Sequence, residues 1–244
     1  MLSIIQVGHN DASDRYIRNK VKAIEQAGLS AEVINIPEDS AEVDVVEAIW
    51  CAHAKPDCKA VMLQLPLPAH MYADRLLTYI PEEADIDGLN PHSDYVPLTP
   101  SAIMRWLIEQ GVSLEGKVVA ILGRSNLVGK PLANLMIEAG ATVTVMNSKT
   151  DEEFRRDACR MADIIVSAVG KCNAVSGDYI NVWKPQIVID VGINRDEDGK
   201  LCGDVSQKAK ELVERTGGVC TPVPGGVGKW TVRELVLRLK EFEG

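Results

Sequence analysis

Aromatic residues are scarce, 5% of 244 positions with two phenylalanines, and no basic cluster offsets a net charge of −9. A nucleic-acid surface needs clustered positive charge and usually rings for stacking, so no nucleic-acid partner is expected. No apolar run reaches the ~20 residues that a membrane span needs, so no membrane partner is expected either. The opening "MLSIIQVGHND" has no basic start and no small-residue cleavage site, which reads as no signal peptide. The six cysteines, at 51, 58, 159, 172, 202 and 220, include no Cys-x-x-Cys pair. Cys51, His53 and Cys58 fit no zinc spacing, so no metal is expected. The cysteines read as reduced thiols packed as small apolar residues in a cytoplasmic protein. Internal repeats, low-complexity stretches and a Gly-x-Gly-x-x-Gly fingerprint are also absent.

What is present is an ordinary globular mixture, 46% apolar and 25% charged. The length fits one large domain or two small ones. Short Val/Ile-rich runs alternate with helical periodicity. Strands are expected at 2–8, 31–37, 60–68, 117–123, 141–147, 163–170 and 186–192. Helices are expected at 14–27, 40–54, 71–79, 100–110 and 130–139, with Gly28 and Gly140 as stops. A last helix should start near Thr231, where Thr231 and Glu234 form a capping-box pattern. Alternating strands and helices predict an α/β fold with mostly parallel, doubly covered sheets. The turn-rich "NPHSDYVPLTP" places a boundary near residue 100. The expectation is two α/β domains with a cleft between them, the second a Rossmann-like doubly wound sheet.

"VVAILGRSNLVGKP" is a buried strand, a turn with Gly123 and Gly129, and a helix start. That arrangement either cradles a pyrophosphate on free backbone N–H groups or is an ordinary strand-to-helix turn. The next strand ends "VMNSKT". An NAD site of this architecture places an acid there for the ribose hydroxyls, and none is present. Arg124, Ser148 and Lys149 could instead meet a 2′-phosphate, which favours NADP.

The first half holds candidate chemistry. Gln64 leaves a strand at its carboxyl end, between residues stiffened by the prolines of "QLPLP". "DIDG" (85–88) is a turn or a carboxylate site. "TPVPGGVGK" (221–229) suits close backbone approach to a flat ligand, or a hinge. Tyr16 and Lys20 are four apart beside the apolar stripe Ile17, Val21 and Ile24. Partial burial there would lower the lysine pKa from its usual ~10.4. A short-chain dehydrogenase also uses Tyr-x-x-x-Lys, but after its dinucleotide fold; here the pair precedes the glycine turn.

These motifs, Ser-x-x-Tyr-x-x-x-Lys (13–20), Gln-Leu-Pro-Leu-Pro (64–68), Asp-x-Asp-Gly (85–88), Gly-Arg-Ser-x-x-Val-Gly-x-Pro (123–131) and Thr-Pro-Val-Pro-Gly-Gly-Val-Gly (221–228), occur together in one order. The chain resembles the bifunctional methylenetetrahydrofolate dehydrogenase / methenyltetrahydrofolate cyclohydrolase family over nearly its whole length. The resemblance implies a folate-binding catalytic domain of residues 1–99 plus 229–244 and an NADP-binding domain of residues 100–228. It implies Lys20, Gln64 and Asp87 as catalytic residues. Tyr16, Lys20, Gln64, Leu65, Pro66, Asp87, Pro222 and Gly225 would contact folate. Gly123, Arg124, Ser125, Val128, Gly129, Ser148, Lys149, Val169, Gly170 and Ile193 would contact NADP. Tetrahydrofolate derivatives would be the substrates and a homodimer the assembly. A monofunctional dehydrogenase, or a non-catalytic folate/NADP-binding module, is the alternative. The chain departs from the family pattern at Leu98, Ala102, Asn147, Lys229 and Trp230.

Overall fold

A computed structural model describes residues 1–9 and 11–243 of the chain. It divides into two compact units, one of Met1–Leu98 with the stretch from Val232 on, the other of Thr99–Thr231.

The first unit is built on β1 (Leu2–Val7), α1 (Asp11–Gln26), β2 (Ala31–Ile36), α2 (Glu42–His53), β3 (Ala60–Leu63) and the short α3 (Ala73–Leu77). Every residue of β1 is buried. Such a strand needs cover on both faces, and it sits in the middle of a parallel sheet ordered β2-β1-β3. Alternation along the strands sorts the side chains. Ile5, Val7, Val61 and Leu63 pack with Val45 and Ile49 of α2. Leu2, Ile4, Ala60 and Met62 point the other way, toward Ile17 and Ile24 of α1 and Leu235 and Leu239 near the C-terminus. Burial of each such isoleucine or leucine contributes roughly 1.5–3 kcal/mol over exposure. Gly28, with φ +77°, follows the end of α1 as expected of a helix stop.

The second unit contains most of α4 (Leu98–Glu109), then β4 (Val118–Leu122), α5 (Gly129–Glu138), β5 (Thr142–Met146), α6 (Glu152–Met161), β6 (Ile164–Ser167), β7 (Ile187–Asp190), the hairpin β8 (Asn194–Arg195) and β9 (Leu201–Cys202), α7 (Gln207–Arg215), β10 (Val219–Cys220) and the start of α8 (Val227–Glu243). Its main sheet is parallel throughout, in the order β10-β7-β6-β4-β5. Val119, Ile121, Ile164, Val166 and Ile189 face α4 and α5. Ala120, Leu122, Ile165 and Val188 face α6 and α7. The fold is therefore the doubly wound, Rossmann-like α/β arrangement. Strand order reverses at β4, whose neighbours are β5 and β6, and ligands of such sheets bind beyond the carboxyl ends at that switch point.

Several elements are shorter than the periodicity predicts. The strand at 60–68 stops at Leu63, the helix at 71–79 keeps only Ala73–Leu77, and the strand at 163–170 stops at Ser167. The capping box at Thr231 is not formed. α8 begins at Val227, so Thr231 lies inside the helix and its hydroxyl donates to the Val227 carbonyl at 3.1 Å. The glycines ahead of it permit the earlier start.

Candidate functional site

The parity of β3 carries Ala60, Met62 and Gln64 along one side of the strand, the side covered by α1. On α1, Ile17, Val21 and Ile24 form the buried stripe, and Lys20 stands within it. The two patterns meet. Lys20, 4% exposed, donates from Nζ to Gln64 Oε1 at 3.0 Å and to Met62 Sδ at 3.0 Å. Gln64 Nε2 donates to the Leu65 carbonyl at 2.6 Å, which leaves the amide oxygen aimed at the lysine. The Leu65–Pro66 peptide is cis. Nζ also lies 4.6 Å from the centre of the half-buried Tyr16 ring. Burial pushes the Lys20 ammonium below its usual range, and the Asp87 charge partly opposes that shift. Burial, with Asp87 adding to it, holds the Tyr16 phenol above its usual range.

"DIDG" is a built turn. Asp85 is fully buried and accepts from Gly88 N at 3.1 Å and Asn90 N at 2.9 Å, and it bridges to Val61 of β3. Gly88 has φ +66°, and a Cβ there would come within 2.5 Å of the Tyr95 carbonyl, so glycine is required. The turn places Asp87, half-buried, in the field of Lys20. Burial raises the Asp87 carboxyl; Lys20 and then Arg238 pull it back down. Arg238 was not foreseen from the sequence. It is 7% exposed on α8, and donates to the Ile86 carbonyl at 2.9 Å. Its spacing from Leu235 and Leu239 was the available signal.

In the second unit Gly123 and Gly129 are pressed together. A Cβ on Gly129 would lie 2.1 Å from the Gly123 carbonyl, and one on Gly123 would lie 2.4 Å from that of Ala168. Val128 N donates to Ser125 Oγ at 3.1 Å, tightening the turn into α5. Gly123 N donates to the Met146 carbonyl at 2.8 Å, so the ends of β4 and β5 are side by side. Arg124, Ser148 and Lys149 are all exposed at those ends. None of their side chains has a bonded partner among the described residues.

Val169 and Gly170 sit on the loop after β6, whose backbone is held by a buried carboxylate that the sequence reading missed. Asp204 accepts from Val169 N at 2.7 Å, Gly170 N at 3.2 Å, Lys171 N at 3.0 Å, Ser167 Oγ at 3.1 Å and Asn194 Nδ2 at 2.9 Å. Asp190 repeats the device one strand over, accepting from Asp204 N and Val205 N. Burial holds Asp190 above the usual carboxylate range, opposed by those bonds and by Lys210. The two glycines beside these acids, Gly192 and Gly203, leave room for them. Ile193 is 56% exposed just before β8. Pro222 and Gly225, expected on the folate side, lie in the second unit, between β10 and α8, where the Val223–Pro224 peptide is cis. Among the described residues no group of three or more His, Cys, Asp or Glu is placed to hold a metal. No helix among them is long and apolar enough to cross a membrane.

The expectation of six reduced thiols is corrected at one pair. Cys172 and Cys202 form a disulfide with Cα atoms 5.8 Å apart. The physical reason is local: Asn173 N donates to the Gly203 carbonyl at 3.2 Å, which brings the loop after β6 against β9. Cys51, Cys58, Cys159 and Cys220 are free.

Comparison with known proteins shows the family and the fold. Residues 1–87 match the family model "Tetrahydrofolate dehydrogenase/cyclohydrolase, catalytic domain", and residues 97–242 match its NAD(P)-binding domain. The chain is 41% identical to the bifunctional protein FolD of Streptococcus thermophilus, over 96% of this chain and 84% of that one. The crystal structure of the bifunctional FolD of Campylobacter jejuni superposes with a TM-score of 0.90 at 35% identity, covering 99% of this chain and 86% of that one. The Trypanosoma brucei dehydrogenase-cyclohydrolase, solved with NADP and an inhibitor, gives a TM-score of 0.90 at 33% identity with the same coverage.

Proposed function

The chain belongs to the tetrahydrofolate dehydrogenase/cyclohydrolase family, and on that premise we propose that it oxidises 5,10-methylenetetrahydrofolate with NADP and hydrolyses the resulting 5,10-methenyltetrahydrofolate to 10-formyltetrahydrofolate. In this reading residues 1–99 with 229–244 handle folate, and residues 100–228 handle NADP. The observation that carries it is the buried Lys20–Gln64 contact at 3.0 Å. An amine held out of water, aimed by an amide, is the part the hydrolytic step needs.

The second unit fits NADP. The Gly123–Gly129 turn leaves no room for side chains, so a pyrophosphate could approach the backbone closely at the start of α5. Beside it Arg124, Ser148 and Lys149 supply two cations and a hydroxyl for a 2′-phosphate. Ser125, Val128 and Gly129 would line the pyrophosphate; Val169, Gly170 and Ile193 would line the rest. These residues would hold NADP⁺, which when bound would supply the acceptor for the hydride of the methylene carbon.

In the hydrolytic step water attacks the methenyl carbon. Lys20, whose charge burial disfavours, takes one from that water. It returns the proton to ring nitrogen N5 as the C–N5 bond breaks. The remaining hydroxyl proton leaves as the formyl C=O forms. Gln64 Oε1 keeps the amine in one orientation throughout. Asp87 binds the pterin edge, Tyr16 stacks on the aminobenzoyl ring, and Leu65, Pro66, Pro222 and Gly225 shape the surface that folate meets. The reading includes a cytoplasmic homodimer; light scattering after size-exclusion chromatography reports the stoichiometry.

The test is to supply 5,10-methylenetetrahydrofolate with NADP⁺ and follow reduced nicotinamide and the methenyl absorbance together. Reduced cofactor without lasting methenyl is the expected result. Accumulating methenyl would leave a dehydrogenase alone, and no reduction would overturn the reading.

A further inference from the structure

A buried carboxylate and a disulfide both tie down the loop after β6. Asp204 holds the backbone of Val169–Lys171 through buried hydrogen bonds. Two positions on either side of those contacts, Cys172 and Cys202 join the same loop to β9 by a covalent bond. Their Cα separation, 5.8 Å, lies in the usual range for a disulfide. Both cysteines are partly exposed. Cys172 also lines an open cavity of about 670 Å³ together with Gly170, Lys171, Asn194 and Arg195, so a small thiol or disulfide has a path to the sulfur. The wall carries Lys171 and Arg195 together with Asp196, Glu197 and Asp198, so its charges are mixed and access to the sulfur is what the cavity supplies. A buried structural disulfide would offer no such path. In a cytoplasmic protein a reachable disulfide is typically transient and redox-sensing.

We propose that Cys172 and Cys202 form a thiol–disulfide exchange site that couples redox state to cofactor affinity through the loop bearing Val169 and Gly170. This rests on the reading of that loop as part of the NADP site. The step balances with a low-molecular-weight disulfide as oxidant. The thiolate of one cysteine attacks the disulfide, releasing one small thiol. The second cysteine then attacks the mixed disulfide, releasing the other. The protein loses two electrons and two protons, and the small disulfide is reduced to two thiols. In the oxidised chain the loop is fixed before the cofactor arrives. In the reduced chain the Asp204 bonds and the Asn173–Gly203 backbone bond remain, so binding must also order Cys172.

The experiment uses the full chain equilibrated in glutathione buffers from fully reduced to fully oxidised. Thiols are counted by mass shift with a maleimide and mapped to peptides. NADP⁺ binding is titrated calorimetrically at each poise, for wild type, Cys172→Ser and Cys202→Ser. Two thiols should disappear reversibly on oxidation, both on the Cys172 and Cys202 peptides. The dissociation constant for NADP⁺ should rise about threefold to tenfold on reduction, the scale expected for losing preorganisation of a short loop. Each serine variant should bind like the reduced wild type at every poise. Thiols that stay free in oxidising buffer would overturn the proposal. So would a bond that forms without changing affinity, or redox sensitivity that survives in both variants. A chain that binds NADP⁺ in neither state would sink the cofactor reading and the coupling with it, while the thiol count, which needs no cofactor, would still decide whether the exchange site exists.

Discussion

The two units hold their polar groups in opposite ways. In the first, charge is taken out of water: Lys20 is buried within reach of Gln64, with Asp87 and Arg238 in its field. In the second, the cations proposed to meet a phosphate stay outside. Arg124 and Lys149 are exposed on strand ends, while the buried acids Asp190 and Asp204 bind only backbone and neighbouring side chains. Under the proposed function, desolvation would tune a proton-transfer group and exposure would keep cations ready for a phosphate. The difference separates chemistry from recognition, and substitutions should separate them too.

The largest effect should come from Lys20→Gln. Cyclohydrolase turnover is expected to fall by about 10²–10⁴, the usual worth of a positioned general acid–base, with NADP⁺ binding unchanged. Hydrolysis of supplied 5,10-methenyltetrahydrofolate measures it. Next is Gly129→Ala. The new Cβ, 2.1 Å from the Gly123 carbonyl, must push the turn open. A loss of about 2 kcal/mol in stability is expected, together with a fall of roughly a hundredfold in NADP⁺ affinity, since backbone strain of this kind is among the larger single-site effects. Chemical denaturation and calorimetry report the two. Arg124→Gln should weaken NADP⁺ binding by about tenfold to a hundredfold, matching roughly 1.5–3 kcal/mol for a hydrogen bond to a charged group, and leave NAD⁺ binding alone. Loss of both cofactors equally would remove the 2′-phosphate assignment.

The smallest effect concerns stability and pH. Lys20 has a folded pKa below its unfolded value of 10.5. Between the two, the unfolded chain carries the extra proton, so this lysine's contribution to stability rises with pH across that window. At neutral pH its burial is a cost. Lys20→Met should therefore raise Tm near pH 7, with the advantage shrinking as pH climbs toward 10.5. A Tm difference flat from pH 7 to pH 10 would mean that the lysine is not desolvated.

Much of this was legible in the sequence for a physical reason. Period-2 and period-3.6 patterns name the face a residue occupies, so the stripe of Ile17, Val21 and Ile24 already placed Lys20 at the core's edge. The strand 60–63 likewise projects Gln64 onto the face of Met62. The turn at Gly123 and Gly129 showed as glycines between a buried strand and a helix. What stayed hidden depends on long-range packing. Asp204 lies 34 residues from the Gly170 amide that it accepts from, and nothing local marks "GDV" as an anchor. Cys172 and Cys202 are 30 apart, and meet only because Asn173 pairs with Gly203. Arg238 lies beside Leu235 and Leu239 in the helix pattern, but the groups that enclose it, Ile86 and Tyr95, are far away in sequence. The capping pattern at Thr231 failed because glycines upstream allowed the helix to begin earlier than the pattern did.

The most direct test of this division of labour follows reduced nicotinamide and methenyl absorbance side by side in Lys20→Gln and Arg124→Gln. Lys20→Gln should reduce NADP⁺ and accumulate methenyl. Arg124→Gln should hydrolyse supplied methenyl at the wild-type rate while losing its preference for NADP⁺ over NAD⁺. If either variant lost both activities together, chemistry and recognition would not be separately held, and the division would be wrong.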